Sequence, residues 1–311
     1  MQILRICPSN FIQTKAVTDE GAVILRELSD YVRKLQDISS LEKSLSDALK
    51  IGTVVIIPGD SEQEEVVKRE IGRASARILS KVLGDGNEHI VAVSGGTTLA
   101  AMAANITGSQ PKTVIVPARG GLGDNVELQA NTIATVLAQK LGASYRQLYV
   151  PDGVSEDILN SILQEDVGVR AVVDIIKRAD ILVHGMGRSS VMARHRRLPP
   201  DVITKLEEGG AVGEAFGQYV ALDGTQIYMT NNAGLMLQDL QNIGTIIGVA
   251  GGKSKGFSLY EFFTAELHYD FSAFKRAYEA VMFFCSNSCK RLEPVSKVYC
   301  TFFYGPVFHC I

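Results

Sequence analysis

The sequence predicts an α/β domain built on a mostly parallel sheet with helices on both faces. Two observations carry that reading. Short runs rich in Val and Ile recur between residues 53 and 250, and longer amphipathic segments separate them. Strands buried on both faces read as continuous apolar runs, and regular strand–helix alternation places those strands parallel in one sheet.

Taken in order, residues 1 to about 18 carry short apolar stretches without a clear element. Thr18, Asp19 and Glu20 then supply a helix start, and Leu25, Leu28, Val32 and Leu35 recur at three- and four-residue spacing. Leu41, Leu45 and Leu49 continue the stripe, so 21–50 reads as helix: either packed on the domain or serving as a connector or dimerisation seam. Strands are expected at Thr53–Pro58, His89–Ser94, Thr113–Pro117, Arg146–Pro151, Ile181–Gly185 and Thr245–Ala250. Helices are expected at Glu64–Leu83, Thr97–Ile106, Asn125–Leu141 and Val169–Arg178.

The last 56 residues differ in composition. They hold ten of the 12 Phe, five of the 10 Tyr and four of the five Cys (Cys285, Cys289, Cys300, Cys310). The strand–helix rhythm stops at Lys255, and the segment 256–311 reads as an atypical tail, from a shifted reading frame or a fused segment. A zinc site using these cysteines and His309 is a weaker alternative, because their spacing fits no usual zinc framework.

Composition narrows the function classes. A net charge of −3 gives no domain-wide signature of nucleic-acid binding, so such contact must be local. No apolar run has the length of a membrane span, and Met1 to Ile12 lacks the pattern of a secretory signal, which leads us to expect a cytoplasmic protein without membrane contact. Cys7 stands alone through the first 255 residues, which excludes a disulfide framework for the body of the chain.

The chemistry-bearing residues lie just past the expected strands. In Val93-Ser94-Gly95-Gly96-Thr97-Thr98 a strand runs into two glycines and then two hydroxyl residues that open a helix. Glycines let backbone amides approach an anion, and a helix N-terminus offers unpaired N–H groups and a favourable dipole. The same letters also spell an ordinary tight turn with a threonine cap. Pro117-Ala118-Arg119-Gly120-Gly121-Leu122-Gly123 repeats the theme and adds an arginine, whose planar fork matches phosphate oxygens. Two such loops after neighbouring strands favour an anion site.

Further along, His184-Gly185-Met186-Gly187 ends another strand, and Arg194-His195-Arg196-Arg197 forms a basic cluster. Glu214 is a lone carboxylate among small residues, and Gly251-Gly252-Lys253-Ser254-Lys255 lacks the spacing of a P-loop. No nucleophile elbow, metalloprotease helix or paired-carboxylate motif occurs. A chain rich in anion donors and poor in catalytic pairs reads as a binder, with no cofactor and no metal expected.

Six stretches, taken together, resemble the effector-binding domain of SorC-type sugar-binding transcriptional regulators. They are SGGTT at Ser94–Thr98, VPARGGLG at Val116–Gly123, QANTIA at Gln129–Ala134, HGMG at His184–Gly187, AVGEAFG at Ala211–Gly217 and VAGGKSK at Val249–Lys255. The resemblance runs in order from about residue 20 to 255. It implies a Rossmann-like three-layer αβα fold, akin to phosphosugar isomerases and glucosamine-6-phosphate deaminases. It implies a phosphorylated sugar as effector, with fructose 1,6-bisphosphate the first candidate.

In such a domain Gly95, Gly96, Thr97 and Thr98 would hold one phosphate with Arg119 and Lys255, while Gln129 and Glu214 would meet the sugar or its phosphate. The family's adjacent arginine pair for a second phosphate falls on His195 and Arg196, of which only Arg196 fits. The family's winged helix-turn-helix has a counterpart here only in a wing-like remnant within residues 1–20, so specific operator binding, present in intact relatives, is not expected of this chain alone. Residues 21–50 become a helical connector, 51–255 the effector domain of a homo-oligomer, and 256–311 the tail. A phosphosugar isomerase or deaminase of the same fold is the alternative function.

Overall fold

The computed structural model describes residues 4–6, 15–17, 24, 38–40, 42–44, 46–47, 52–58, 64–121, 125–221, 224–249, 251 and 278–285. The chain divides into two units, Met1–Leu45 and Ser46–Ile311. In the first, strands β1 (Leu4–Ile6) and β2 (Lys15–Val17) pair antiparallel. Every described residue between 21 and 50 is helical, while the leucine stripe that predicted this helix lies outside the described residues.

The second unit is built on a seven-stranded sheet in which every pairing is parallel. Its strands are β3 (Val54–Pro58), β4 (Ile90–Val93), β5 (Val114–Pro117), β6 (Ser144–Tyr145), β7 (Ile181–Gly185), β12 (Thr245–Val249) and β13 (Tyr278–Cys285). They lie in the order β3-β13-β12-β7-β4-β5-β6. Helices α1 (Glu64–Val82), α2 (Thr97–Asn105) and α3 (Ala130–Leu141) cover one face. There Ile71, Leu79, Leu99, Met102, Ile133 and Leu137 pack with Val91, Val93, Ile115, Val183 and Ile247 into one core. The alternate strand residues Ala92, Val116, Leu182 and Ile246 are equally buried, and helix α5 (Val167–Lys177) packs against β4 and β5. This is the three-layer α/β architecture that the continuous apolar runs predict.

Three local departures from expectation have identifiable causes. The Arg146–Pro151 run buries alternate residues Leu148 and Val150 like a strand, yet the strand that pairs with β5 is Ser144–Tyr145, and Pro151 meets Gly121 only in an isolated bridge. Asn131 on α3 takes the place of a sheet neighbour: its Nδ2 donates to the Leu148 carbonyl (3.0 Å), and its Oδ1 accepts from the Leu148 amide (2.9 Å). The expected 125–141 helix is split at Gln129, whose extended backbone separates a 3-10 turn, Val126–Leu128, from α3. Ahead of α5 lies a helix the periodicity did not signal, α4 (Glu156–Glu165); Ser155 caps α4 and Asp166 caps α5 with their side chains.

The strand rhythm also continues past Lys255, because β13 inserts between β12 and β3. Ala280-Val281-Met282-Phe283-Phe284 has the length and apolar, aromatic content of a central strand, a pattern masked in the sequence by the aromatic bias around it. The tail's cysteines other than Cys285, and His309, lie outside the described residues, as does the side chain of Cys285. Among the described residues no helix is long and apolar enough to cross a membrane, and no cluster of His, Cys, Asp and Glu suits a metal.

A second sheet, which the sequence reading did not anticipate, is antiparallel. Its strands β8 (Gly187–Arg188), β9 (Ala211–Ala215), β10 (Gln218–Ala221) and β11 (Gln226–Met229) lie in the order β11-β10-β9-β8. Between β8 and β9 run two short helices, α6 (Ser189–His195) and α7 (Pro200–Glu208), and their residues Ala193 and Leu206 pack with Tyr219 in a small core.

Candidate functional site

The strand order reverses between β4 and β7. From β4 the chain winds outward through β5 to β6, whereas β7, β12 and β13 lie on the other side. Loops leaving the carboxyl ends of strands at such a switch point part and form a crevice, the usual ligand position in open parallel sheets. The Ser94–Thr98 loop leaves β4 there. It is tied across the divide to β7: the Ser94 amide donates to the Val183 carbonyl (3.0 Å), and the Ser94 Oγ accepts from the Gly185 amide (3.0 Å).

This loop is shaped by its neighbours. The Gly96 amide donates to the Leu128 carbonyl (2.9 Å). That carbonyl approaches Gly95 so closely that a Cβ there would lie 2.6 Å from it, which only glycine permits. Thr97 opens α2, so the amides of Thr97, Thr98 and Leu99 have no acceptor within the helix and point out of its N-terminus. Thr98 is buried, and its Oγ1 has no hydrogen-bond partner.

Arg119 follows β5, beside this loop. Val93 and Pro117 are paired in register, and the Ala118 amide donates to the Val93 carbonyl (2.7 Å). The arginine is only 6% exposed. Its Nη2 lies 2.6 Å from Asp152 Oδ2 and 3.0 Å from Thr230 Oγ1, and its Nη1 lies 3.9 Å from Glu214 Oε1. Arg196 enters the same cluster from the end of α6. Its Nη1 donates to Asp152 Oδ2 (2.9 Å) and its Nη2 to Glu214 Oε1 (2.7 Å). Two guanidiniums and two carboxylates thus form a closed, buried quartet of zero net charge.

Glu214 sits on β9, opposite Gly187 of β8, and its Oε1 also accepts from the Gly217 amide. Phe216 (φ 53°) and Gly217 (φ 74°) form the two-residue turn between β9 and β10, both in the left-handed region that a tight hairpin of this hand requires. A Cβ on Gly217 would lie 2.0 Å from Thr230 Oγ1 and 2.4 Å from Arg119 Nη1, so the turn and the arginine are fitted to each other. The Phe216 ring lies against buried His184, with centroids 4.9 Å apart.

The electrostatics follow from burial. Burial lowers the pKa of the Arg119 guanidinium, with the Asp152 carboxylate opposing. For Arg196 burial acts in the same direction, but Glu214 and Asp152 together outweigh it and raise its pKa. Burial pushes the His184 imidazole down to about 4, so it is neutral at pH 7. Burial, assisted by Glu214, raises the pKa of the Tyr219 phenol.

The cluster is not saturated. Arg119 Nε and Nη1, Arg196 Nε, Asp152 Oδ1, Tyr219 OH and Asn232 Nδ2 are buried without hydrogen-bond partners, as is Thr98 Oγ1. Buried polar atoms are normally satisfied, so this concentration of exceptions around Arg119 and Arg196 makes the cluster the candidate site.

The structure brings together most of the residues singled out from the sequence. Gly95, Gly96, Thr97 and Thr98 line the loop after β4, and Gln129 caps α3 beside them, its Oε1 3.8 Å from a Cβ position on Gly121. Arg119, Arg196 and Glu214 meet in the quartet. His195 does not join it: one residue before Arg196 at a helix end, its side chain points about 100° away and is exposed. Arg194 and Arg197 are exposed as well, and Lys255 lies outside the described residues. Sequence reasoning missed Asp152, which joins both arginines. Its signal was its place in Pro151-Asp152-Gly153, a turn signature at the end of an expected strand. Tyr219, Thr230 and Asn232 gave none.

Comparison with known proteins shows the family. The family model described as "Putative sugar-binding domain" matches residues 33–266. The central glycolytic genes regulator of Priestia megaterium is 40% identical over 248 residues, covering 79% of this chain and 72% of that protein. Its namesake in Bacillus subtilis is 39% identical over 249 residues, again covering 79% and 72%. Among solved structures, a SorC family transcriptional regulator from Enterococcus faecalis superposes with a TM-score of 0.68 at 32% identity, covering 80% of this chain and 96% of that one.

Proposed function

The chain belongs to the family of sugar-binding transcriptional regulators, and from that premise we propose that residues 51–255 are an effector domain that binds a phosphorylated sugar without turning it over. The phosphate sits on the Gly95–Thr98 loop at the N-terminus of α2, where three helix amides and the Thr98 hydroxyl await an acceptor. Arg119 closes that end, and Gln129 and Glu214 face the sugar. The observation that carries this reading is the gathering of unpartnered buried donors on Thr98, Arg119 and Arg196 at the switch point of the sheet.

Binding is favoured over turnover by the state of Glu214. Its Oε1 is already engaged by Arg196 and by the Gly217 amide, so this oxygen is occupied by two donors rather than open to a proton of the sugar. The sugar acts by population shift, favouring one packing of the subunits of a homo-oligomer coupled through the helical segment 21–50, a shift that in intact relatives would alter affinity for operator DNA. With a net charge of −3, DNA contact falls to a local basic element rather than to the domain surface.

The test is a thermal-shift panel of fructose 6-phosphate, glucosamine 6-phosphate, fructose 1,6-bisphosphate and inorganic phosphate. A sugar phosphate at a hundredfold excess over its Kd stabilises by about 2.7 kcal/mol. Fructose 1,6-bisphosphate is the first candidate. Arg119→Ala, measured against its own ligand-free baseline, loses the response, and neither monophosphate is turned over. Absence of any shift across the sugar phosphates refutes the reading; turnover refutes the assignment as a pure binder.

A further inference from the structure

Asp152 is the one carboxylate of the quartet within hydrogen-bond distance of both arginines, which it reaches through a single oxygen, whereas Glu214 stands 3.9 Å from Arg119. Asp152 Oδ2 lies 2.6 Å from Arg119 and 2.9 Å from Arg196, the carboxylate is 2% exposed, and Oδ1 has no partner. Glu214 differs, because the Gly217 amide also holds its Oε1. Asp152 therefore depends on the two guanidiniums, and they in turn are already neutralised before any ligand arrives.

The position of Asp152 is fixed by its backbone. Gly121 and Pro151 form a parallel bridge, the Gly121 amide donates to the Val150 carbonyl (3.0 Å), and the Asp152 amide donates to the Gly121 carbonyl (2.9 Å). Gly121 lies two residues after Arg119, so the loop that carries the arginine also presents the carboxylate to it. An anionic group approaching Arg119 and Arg196 meets a resident anion in the place it would take. A neutral hydroxyl meets no such competitor and can use the unpartnered Arg119 Nε, Arg196 Nε and Asn232 Nδ2.

We propose that Asp152 is a specificity-determining residue, an internal counter-ion that a ligand's second anionic group must displace from Arg196. This rests on the reading of the domain as a sugar-phosphate binder. The first phosphate meets Asp152 only at Arg119 and keeps the amides of the Gly95–Thr98 loop and the Thr98 hydroxyl, so it depends less on that displacement. Asp152 thus sets the discrimination between monophosphorylated and bisphosphorylated sugars, holding down affinity for the latter.

Calorimetric titration of the full chain with fructose 6-phosphate and fructose 1,6-bisphosphate, in wild type and Asp152→Asn, tests this. Removing one charge a few ångströms from the second anionic group raises affinity for the bisphosphate about tenfold or more relative to the monophosphate. Asp152→Glu keeps the charge and leaves the wild-type ratio within about threefold. An unchanged ratio in Asp152→Asn, with both sugars still binding, overturns the proposal while leaving the binding function intact. Failure of the wild type to bind either sugar overturns the function itself.

Should Asp152→Asn not fold, a crystal structure of the wild type with fructose 1,6-bisphosphate decides. The Arg196 guanidinium parted from Asp152 and bound to the second phosphate supports the proposal. That ion pair intact, with the second phosphate elsewhere, overturns it.

Discussion

Replacing Thr98 by Val should move stability and ligand affinity in opposite directions. The Thr98 hydroxyl is buried and unpartnered, so in the ligand-free protein it is desolvated without compensation. Leaving such a group unsatisfied costs about 1–3 kcal/mol, and valine replaces it with a methyl group of the same shape and the same β-branching. Taking the lower end, the ligand-free variant gains about 1 kcal/mol, or roughly 2–4 °C in Tm for a domain of this size. The sugar-phosphate complex loses a hydrogen bond to a charged group, about 1.5–3 kcal/mol, and affinity falls roughly ten- to a hundredfold.

Urea and thermal unfolding without ligand measure the first effect, and calorimetric titration with fructose 6-phosphate measures the second. Thr113 supplies the control. Its Oγ1 is likewise buried and unpartnered, but it precedes β5 at the opposite end of the strand from the crevice. Thr113→Val should gain similar stability and leave affinity unchanged. A Thr98→Val protein that is less stable without ligand, or that binds sugar phosphate as tightly as wild type, refutes the assignment of that hydroxyl to the ligand.

Three further outcomes follow from the same geometry. Gly217→Ala places a Cβ 2.0 Å from Thr230 Oγ1 on a backbone with φ 74°, so it should destabilise by about 2–4 kcal/mol in urea titration and abolish the ligand-induced thermal shift. Arg196→Met leaves two buried carboxylates facing one arginine and should cost about 3–5 kcal/mol, whereas Arg73→Gln on the exposed face of α1 should cost under about 0.5 kcal/mol. Acidification should weaken the fold through His184, whose pKa falls from 6.5 to about 4 on burial. The unfolded chain takes up this proton first, so stability is full above pH 6.5 and declines by about 3 kcal/mol as pH falls toward 4. His89, raised by Asp180 and Asp85 against the opposing effect of burial, acts in the other sense, its contribution present below pH 6.5 and lost as pH rises through its raised value. Urea titrations of wild type and His184→Gln between pH 7.5 and 4.5 separate the two, since only the His184 slope disappears in the variant.

The parallel sheet was legible because each core strand satisfies its own rule locally. Ile181–Gly185 opens on three apolar residues, Ile181, Leu182 and Val183, that are buried on both faces, and it was bounded correctly from composition alone. Arg146–Pro151 shows where that logic fails: alternate burial is a strand signature, but the backbone bonds of Leu148 went to Asn131, a partner 17 residues away that no window can see. The antiparallel sheet was hidden for a related reason. Its strands hold two to five residues, and β9 reads Ala-Val-Gly-Glu-Ala, because it must present Glu214 inward rather than fill a core.

The candidate site divides along the same line. The shape of the Gly95–Thr98 loop was readable because glycine spacing at the end of a strand reports backbone conformation directly, and the phosphate contact proposed there is one that backbone amides would make. The charge quartet was only half readable, because an ion pair is a relation between distant positions. Arg119 announced itself by its glycines, while Asp152, 33 residues on, had only a turn signature. The consequence reaches beyond detection. A site inferred from donors alone counts two arginines as two units of positive charge and expects a second phosphate, whereas the folded chain has cancelled both before the ligand arrives. Selectivity between one phosphate and two therefore resides in the carboxylate that the sequence did not single out.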